Sequence, residues 1–572
     1  QLTNIEYGAK LSDLKDQLYK EFKTAPKEIS ALAGQYQREL DKRIDFAIAP
    51  SVSKWSKLGT TFGFGMTLGF NLSAALVNFA QIPLMVGPYL GGKYGYGKVI
   101  TAIGNATKVF INTGTTQVRK DINGVERLMR VGPSIDNLSY DKMSDSNPLK
   151  KYGPLADVMG LRGQLNRSQA YDILDVGSQQ KGLMDNINRW SGFFFHHAER
   201  MNRQISAIAA YDLELAKYGK NPTQEQMVAA AQKAVEITEL TNGGVAATTA
   251  PRIAQNSVGR VVFMYKRYGV AMYYAMSKMA RDMFKGESRE VKIQGFKQLS
   301  GLMLSAGLLA GVQGLPLYGM FSLIYNLFRD EDEDMADEVV RKYVGEVAYK
   351  GLVNELLGAD VAGRIGLSDL IFRENPVKRD QEPMAEIMEF FGGPVYSVGN
   401  RMLRGAKDVY NGEVYRGVEQ IMPSAISNAL KSVRFGTEGA LTRRGDPVIE
   451  DIGYGSIIAQ GFGFAPAQYT RQLEISGATK RKEQAALDAR SKLLRRYNMA
   501  VRQGDSDEIK SIMEDVLEFN NKHPYLAVDR KTIDRSVKAF GRTSTGMIGG
   551  VSYNRKYLGE ARENIREFDG GQ

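Results

Sequence analysis

The sequence predicts an all-α chain, an elongated multi-helix assembly carrying two long uncharged helical segments interrupted by Gly and Pro. Three observations predict it: apolar residues recur at helical spacing near both ends, strand-like alternation is nearly absent, and two uncharged runs are each long enough for more than one helix. Leu11, Leu14, Leu18 and Phe22 stand at i, i+3, i+7 and i+11, and Ile29, Leu32, Tyr36, Leu40 and Ile44 continue a stripe beyond Pro26. Such spacing lines one face of a helix. Near the other end Ile509, Ile512, Met513, Val516 and Leu517 mark a further helix, with Asp505 or Asp507 as its N-cap. The pairs Asn123-Gly124 and Asn411-Gly412 fall between helical patterns and need not turn hairpins.

The first uncharged run covers residues 58–92, 35 positions, and the second residues 298–328, 31 positions. A bilayer span needs about 20 mainly apolar residues, so both are long enough. Both are also broken, the first by Asn71, Asn78, Gln81, Pro83 and Pro88, the second by Gln313 and Pro316. Each is expected to form a helix, a break and a shorter helix, facing lipid or buried in a large soluble core. Gly59/Gly63, Gly65/Gly69 and Gly307/Gly311 are GxxxG pairs, a spacing that lets helix backbones approach closely. With Phe321 they are the candidate membrane-facing or close-packing positions. The acidic run Asp330 to Asp334 closes the second segment and is expected in water.

At 572 residues the chain is too long for a single core. Punctuation divides it into an N-terminal helical arm with the first uncharged run (1–150), a central helical body with the second (151–375), and a charged helical region after Pro376 and Pro383 (376–572). No Cys is present, which removes disulfides, thiolate metal sites and cysteine nucleophiles together. Only three His, at 196, 197 and 523, leave little for a metal centre. A mean hydropathy of −0.30 argues against a constitutive multi-span membrane protein. The chain begins at Gln1 and shows no signal peptide near its start, as expected of one piece of a longer polypeptide or of a trimmed chain.

Chemical motifs are weak. Gly87 to Lys93 matches the start of a phosphate-binding loop, but Tyr94 stands where Ser or Thr should hold magnesium, and no strand precedes it. His196 and His197 are adjacent, so on a helix they point apart and cannot share a metal. No nucleophile–base or paired-carboxylate arrangement stands out, so the chain is expected to be non-enzymatic and without cofactor. The helix from Val262 to Lys285 mixes aromatic and basic residues, which suits a core helix with a charged outer face, a membrane interface or base stacking. Lys480, Arg481, Lys482, Arg490, Lys492, Arg495 and Arg496 form the strongest basic stretch, a candidate contact for DNA backbone without sequence preference.

Several segments together resemble a known family: Trp190 to Phe195 with Glu199 to Arg203 and Ala207 to Tyr211, Gly259 to Lys266, Ile421 to Lys431, Gly436 to Thr442 with Arg444-Gly445, and the apolar Phe70 to Pro83. Across roughly residues 55–540 the chain resembles the C-terminal helical region, called the large polyvalent protein-associated domain, of internal virion proteins of short-tailed phages. The resemblance rests on spaced helical signatures and carries over no active-site residue. It implies an ejection protein, stored in the capsid core and delivered to the host cell envelope and periplasm. There it would oligomerise, with cyclic symmetry, into part of a conduit for the genome. Implied partners are phage genomic DNA, the host envelope membrane, and other internal, portal and tail proteins of the virion. Alternatives are a soluble basic scaffold inside the capsid, or the C-terminal part of a protein whose peptidoglycan-degrading domain lies before Gln1.

Overall fold

The computed structural model describes residues 16–17, 19–21, 34, 37–44, 53–120, 126–165, 168–174, 183–244, 254–329, 333–368, 383–442, 446–449, 452–544, 547–548 and 551–552. Most of these residues are helical, so the fold is all-α with many helices. Of the N-terminal stripe only Leu40 and Ile44 are described, on one helical stretch; Leu11, Leu14, Leu18, Phe22, Ile29, Leu32 and Tyr36 lie outside the described residues, as do Pro376 and residues 330–332.

The first uncharged run breaks at Asn71. Helix α1 (Lys54–Thr67) ends before Asn71, whose side chain accepts from the Ala74 N–H at 3.3 Å and caps α2 (Leu72–Asn78). Pro83 lies in the first turn of a π-helical turn (Ile82–Val86) that runs without interruption into α3 (Gly87–Tyr94), so Pro88, expected to break the run, sits inside continuous helical backbone where the π turn passes into α-helix. α4 (Tyr96–Asn112) follows across Gly95, whose φ of 94° suits only glycine. Strands β1 (Thr115–Lys120) and β2 (Glu126–Val131) then pair antiparallel. Asn123-Gly124 lies outside the described residues; the segments on either side of it are strands rather than the helical patterns expected. Val118 is the only large apolar residue of β1, which left no alternation to detect.

Next come α5 (Gly153–Leu161), α6 (Gln169–Ile173), α7 (Leu183–Ser191), α8 (Phe193–Leu215), α9 (Gln224–Asn242), α10 (Ser257–Val262), α11 (Lys266–Lys285) and α12 (Arg289–Ala310). The second uncharged run breaks at Gly311, φ 67°, which ends α12 before a short turn, Pro316 and α13 (Tyr318–Phe328). Short helices α14 (Ala336–Val344), α15 (Glu346–Lys350), α16 (Leu352–Leu357) and α17 (Ala362–Ile365) lead to α18 (Pro383–Tyr410), α19 (Val414–Ile421), α20 (Ser424–Thr437), α21 (Tyr454–Gly461) and α22 (Ala467–Gln503). Asn411-Gly412 is a helix-to-helix turn between α18 and α19, with Gly412 at φ 92°. α23 (Ser506–Lys522), capped by Asp505, and α24 (Arg530–Ser544) complete the helices.

Packing divides the chain into two compact units, one of residues 1–328 and 335–472, the other of residues 329–334 and 473–572. This replaces the division at 150 and 375. Val86, Leu90 and Ala106 share one core with Leu155, Ile205, Tyr211 and Ile237, so burial crosses residue 150. Val395 of α18 packs over Gly59 and Gly63 of α1, so the segment after Pro383 belongs with the N-terminal helices. The second unit has its own core of Ala500, Ile512, Val516, Phe519 and Val528, taken from α22, α23 and the turn that follows.

α8 is the axis of the first unit, packed by α2, α4 and α9 and buried along nearly its whole length. Its small residues, Ser206, Ala207, Ala209 and Ala210, let neighbours approach; its polar residues tie them down. Arg203, fully buried, donates to Glu199 Oε1 at 2.8 Å and to the Gly243 carbonyl at 3.0 Å. Glu199 in turn accepts from the Gln169 N–H at 3.0 Å. Asn202 donates to the Asn78 carbonyl at 2.6 Å, and Gln204 bridges Ser134 and the Ile135 N–H, each at 3.0 Å. Burial pushes the Glu199 carboxyl up, while Arg203 and the backbone donors pull it down. His196 stacks on Tyr171 with ring centroids 3.9 Å apart and shares a 2.8 Å hydrogen bond with Ser168 Oγ.

Two predictions follow from α8. Removing one partner of a buried ion pair strands the other charge, so Arg203→Met lowers stability by about 3–5 kcal/mol in chemical denaturation. The double variant Glu199→Gln/Arg203→Met, which keeps the acceptor for Gln169 and removes the stranded charge, recovers most of that loss. Second, burial pushes the His196 pKa down to about 3, with His197 and Arg200 adding in the same direction. The unfolded chain takes up that proton near the usual histidine value of about 6.5. The contribution of His196 is therefore complete above that pH and drains as the pH falls toward the folded value. In His196→Gln the slope of stability against pH between 6 and 4 falls by about one proton, near 1.4 kcal/mol per pH unit.

Candidate membrane and nucleic-acid surfaces

The two uncharged runs meet different fates. In the first, Leu84, Met85, Val86 and Leu90 are core residues. Residues Leu72–Tyr94 form the one helical stretch among the described residues long and apolar enough to cross a membrane, and half of it is buried inside the protein. In the second, only one face of α12 goes inward: Leu302, Ala306 and Ala310 are buried, whereas Phe296, Met303, Leu304 and Leu308 are exposed. α13 repeats the division. Tyr318 and Ser322 point in, where both hydroxyls donate to Asp337 Oδ1, at 2.8 and 3.3 Å. Leu317, Met320, Phe321, Ile324 and Phe328 point out at i, i+3, i+4, i+7 and i+11, a single helical face. Leu304 is 64% exposed, Phe321 59% and Phe328 85%. α15 and α16, both packed on α12, add exposed Val347, Leu352, Leu356 and Leu357. The second run is thus a ridge of large apolar side chains above an underside that is apolar in α12 and polar in α13, far more than the scattered single residues normal on soluble surfaces.

The glycine pairs divide as well. A β-carbon on Gly63 would stand 3.0 Å from Met264 Cε, and one on Gly59 3.6 Å from Val261, so this pair serves packing inside the first unit. Gly65 faces open space, and Gly69 lies beyond the end of α1 against the Gly65 carbonyl. Gly307 has only Leu315 near it, at 3.9 Å. Gly311 is a true close approach: a β-carbon there would lie 2.3 Å from the Tyr349 carbonyl, and one on Gly351 2.4 Å from the Gly311 N. Sequence reasoning missed three others. β-Carbons on Gly92 and Gly295 would stand 2.7 Å from Gln298 N and 2.5 Å from Met283 N, and Gly405 and Gly417 abut across α18 and α19. Single glycines inside helical patterns were the available signal.

The basic stretch lies on α22. Lys480, Lys482, Lys492, Arg495 and Arg496 are exposed; Arg481 and Arg490 are half-buried. Within the second unit much of this charge is already engaged. Lys482 pairs with Asp334 at 2.6 Å, and Arg496 bridges Glu508 and Asp515 at 2.9 and 2.8 Å, contacts that raise its already high pKa. Arg490 reaches Thr532 at 3.5 Å. At about 100° per residue, Lys480, Arg481, Lys492 and Arg495 share roughly a third of the helix circumference, and Asp488 lies among them. The remaining motifs are structural. Gly87 to Tyr94 is helix rather than a loop around phosphate, and Lys93 donates to Glu214 at 2.7 Å. Among the described residues no group of three or more His, Asp or Glu is placed to hold a metal. Of the helix from 262 to 285, Met272, Met276 and Met279 are core, and Tyr274 and Phe284 are exposed.

No family model, curated protein or solved structure matches the chain. The two surfaces therefore stand on their own chemistry. If α22 tracks a phosphate backbone, Arg495→Gln reduces the salt slope of non-specific duplex binding by about one. Arg496→Gln, whose charge is held by two carboxylates, leaves that slope nearly unchanged and instead lowers the melting temperature of the second unit. Fluorescence anisotropy across a salt series, beside thermal unfolding, reads both.

Proposed function

We propose that the chain is a non-enzymatic internal protein of a phage virion that oligomerises into part of a conduit carrying the genome across the host cell envelope. The observation that carries this reading is the exposed apolar ridge of α12 and α13, extended by α15 and α16. Water is a poor solvent for such a surface, and a bilayer is a good one. The resemblance of residues 55–540 to phage ejection proteins supplies the setting. The absence of Cys suits a chain that leaves a capsid through a narrow passage and refolds without disulfide chemistry.

The two faces of α13 support this reading, one anchored in the protein and the other left for lipid. Asp337 accepts from Tyr318 and Ser322, and Asn326 Oδ1 accepts from the Ala336 N–H at 3.0 Å. These contacts hold the hairpin of α13 and α14 by its polar side while its apolar side waits outside. One observation favours the rival reading, a soluble basic scaffold inside the capsid: the core of the first uncharged run, from Leu84 to Leu90, is already buried in protein.

Flotation decides between them. The purified chain co-floats with anionic and with neutral liposomes, resists a high-salt wash and releases an entrapped dye. Leu304→Glu/Phe321→Glu, at exposed positions, keeps the fold and loses dye release by at least about tenfold, since charges on a lipid-inserted face are costly. Failure of the native chain to float, or its complete release by salt, sinks the conduit and leaves the scaffold.

A further inference from the structure

The chain has two tryptophans, Trp55 and Trp190, and both are exposed, 55% and 64%. A large aromatic left in water is the costliest apolar residue to leave uncovered. Trp55 lies on a stripe of α1 with Lys54, Leu58 and Phe62, all exposed and within about 100° of arc. Trp190, at the end of α7, stacks on Phe193 with centroids 5.7 Å apart. Phe193 meets Phe194 edge-on at 5.7 Å and His197 at 4.2 Å, and these three form the outer face of the first turn of α8. The inner face of that turn is occupied separately, by Phe195 against Phe64 at 6.4 Å.

Phe70 links the two groups. Its N–H donates to the Ser191 carbonyl at 3.0 Å, beside Trp190, and its side chain is exposed. Its φ is 56°, a left-handed conformation that disfavours a bulky side chain. The backbone thus holds an aromatic outward at a cost in strain.

Charge identifies the occupant. α1 carries Lys54 and Lys57 and no Asp or Glu, and on α7, which also carries Asp185, Arg189 directly precedes Trp190. Exposed indoles beside such cations match the boundary between headgroups and acyl chains of an anionic bilayer. We propose that the α1 stripe and the Trp190–Phe193–Phe194 cluster are a docking surface for anionic lipid, separate from the apolar ridge of α12 and α13. It attaches and orients the protein on a membrane before the ridge inserts. That order rests on the conduit reading; the lipid surface itself does not.

Each indole is isolated in Trp190→Phe and Trp55→Phe. On vesicles of mixed phosphatidylglycerol and phosphatidylcholine, both remaining tryptophans shift to the blue and are quenched at least about twofold by brominated acyl chains, as interfacial indoles are. Neutral phosphatidylcholine gives a much weaker response. Absence of quenching at either position, in protein that co-floats with the same vesicles, overturns the docking surface and leaves the conduit intact. Quenching without dye release keeps the docking surface and removes the conduit. A blue shift in lipid-free buffer that grows with protein concentration gives the surface to a second copy of the chain and overturns the lipid assignment.

Discussion

The first unit depends on one constraint, that a helix buried on nearly every side must satisfy its own charges. α8 meets it by turning each polar side chain into a tie. Glu199 and Arg203 neutralise one another, and their remaining capacity goes to backbone groups that no ladder serves, the Gln169 N–H at the start of α6 and the Gly243 carbonyl past the end of α9. Asn202 and Gln204 do the same for residues 78 and 134–135. An uncharged core of the same volume would be as stable or more so. What the polar version adds is register, because these donors and acceptors pair well in one arrangement only.

The same preference for close approach explains what is left outside. Where backbones nearly touch, at Gly92 with Gln298, Gly295 with Met283 and Gly311 with Gly351, no room remains for large side chains. Beside these contacts the inward residues are small or flexible, Ala306, Ala310, Met276 and Met279, whereas the core away from them keeps Leu155, Ile205, Tyr211 and Leu302. Apart from Leu302, which is core, the bulky Leu304, Leu308, Phe321 and Ile324 of α12 and α13 face the surface. Close backbone crossings thus go with small inward residues at the crossing points and with large apolar residues on the outer face of the same helices.

Much of this was legible in the sequence. Periodicity and the scarcity of strand patterns gave the helical class, and the breaks at Asn71 and Pro316 were visible as residues before they were visible as turns, whereas Pro83 and Pro88 mark no break because the helix runs on through residues 81–94. The hairpin at β1 and β2 was not, because Thr115–Lys120 offers only Val118 as an apolar marker. The division at residue 150 failed because punctuation is local and burial is not: Leu90 finds Leu155 and Ile205 only in three dimensions. Charge had the same limit. The row of basic residues on α22 is a patch in sequence, yet Arg496 and Lys482 are answered by Asp515, Glu508 and Asp334 once the second unit folds. Uncharged length also could not tell the first segment, whose Leu72–Tyr94 stretch is half buried, from the second, which buries one face of α12 and exposes the other.

Strain separates surface that is merely uncovered from surface that is held open. Among the described residues two non-glycine positions have positive φ, Phe70 and Leu317. Each falls at the break inside one of the uncharged runs, and each presents a large apolar side chain to solvent. A glycine at either position would relieve the backbone, and a polar residue would relieve the exposure. Two unfavourable choices at one residue, made twice at equivalent places, are not explained by the fold of the isolated chain. They are explained if the environment in which the protein works covers those side chains, so that the exposure ends there and only the backbone cost remains.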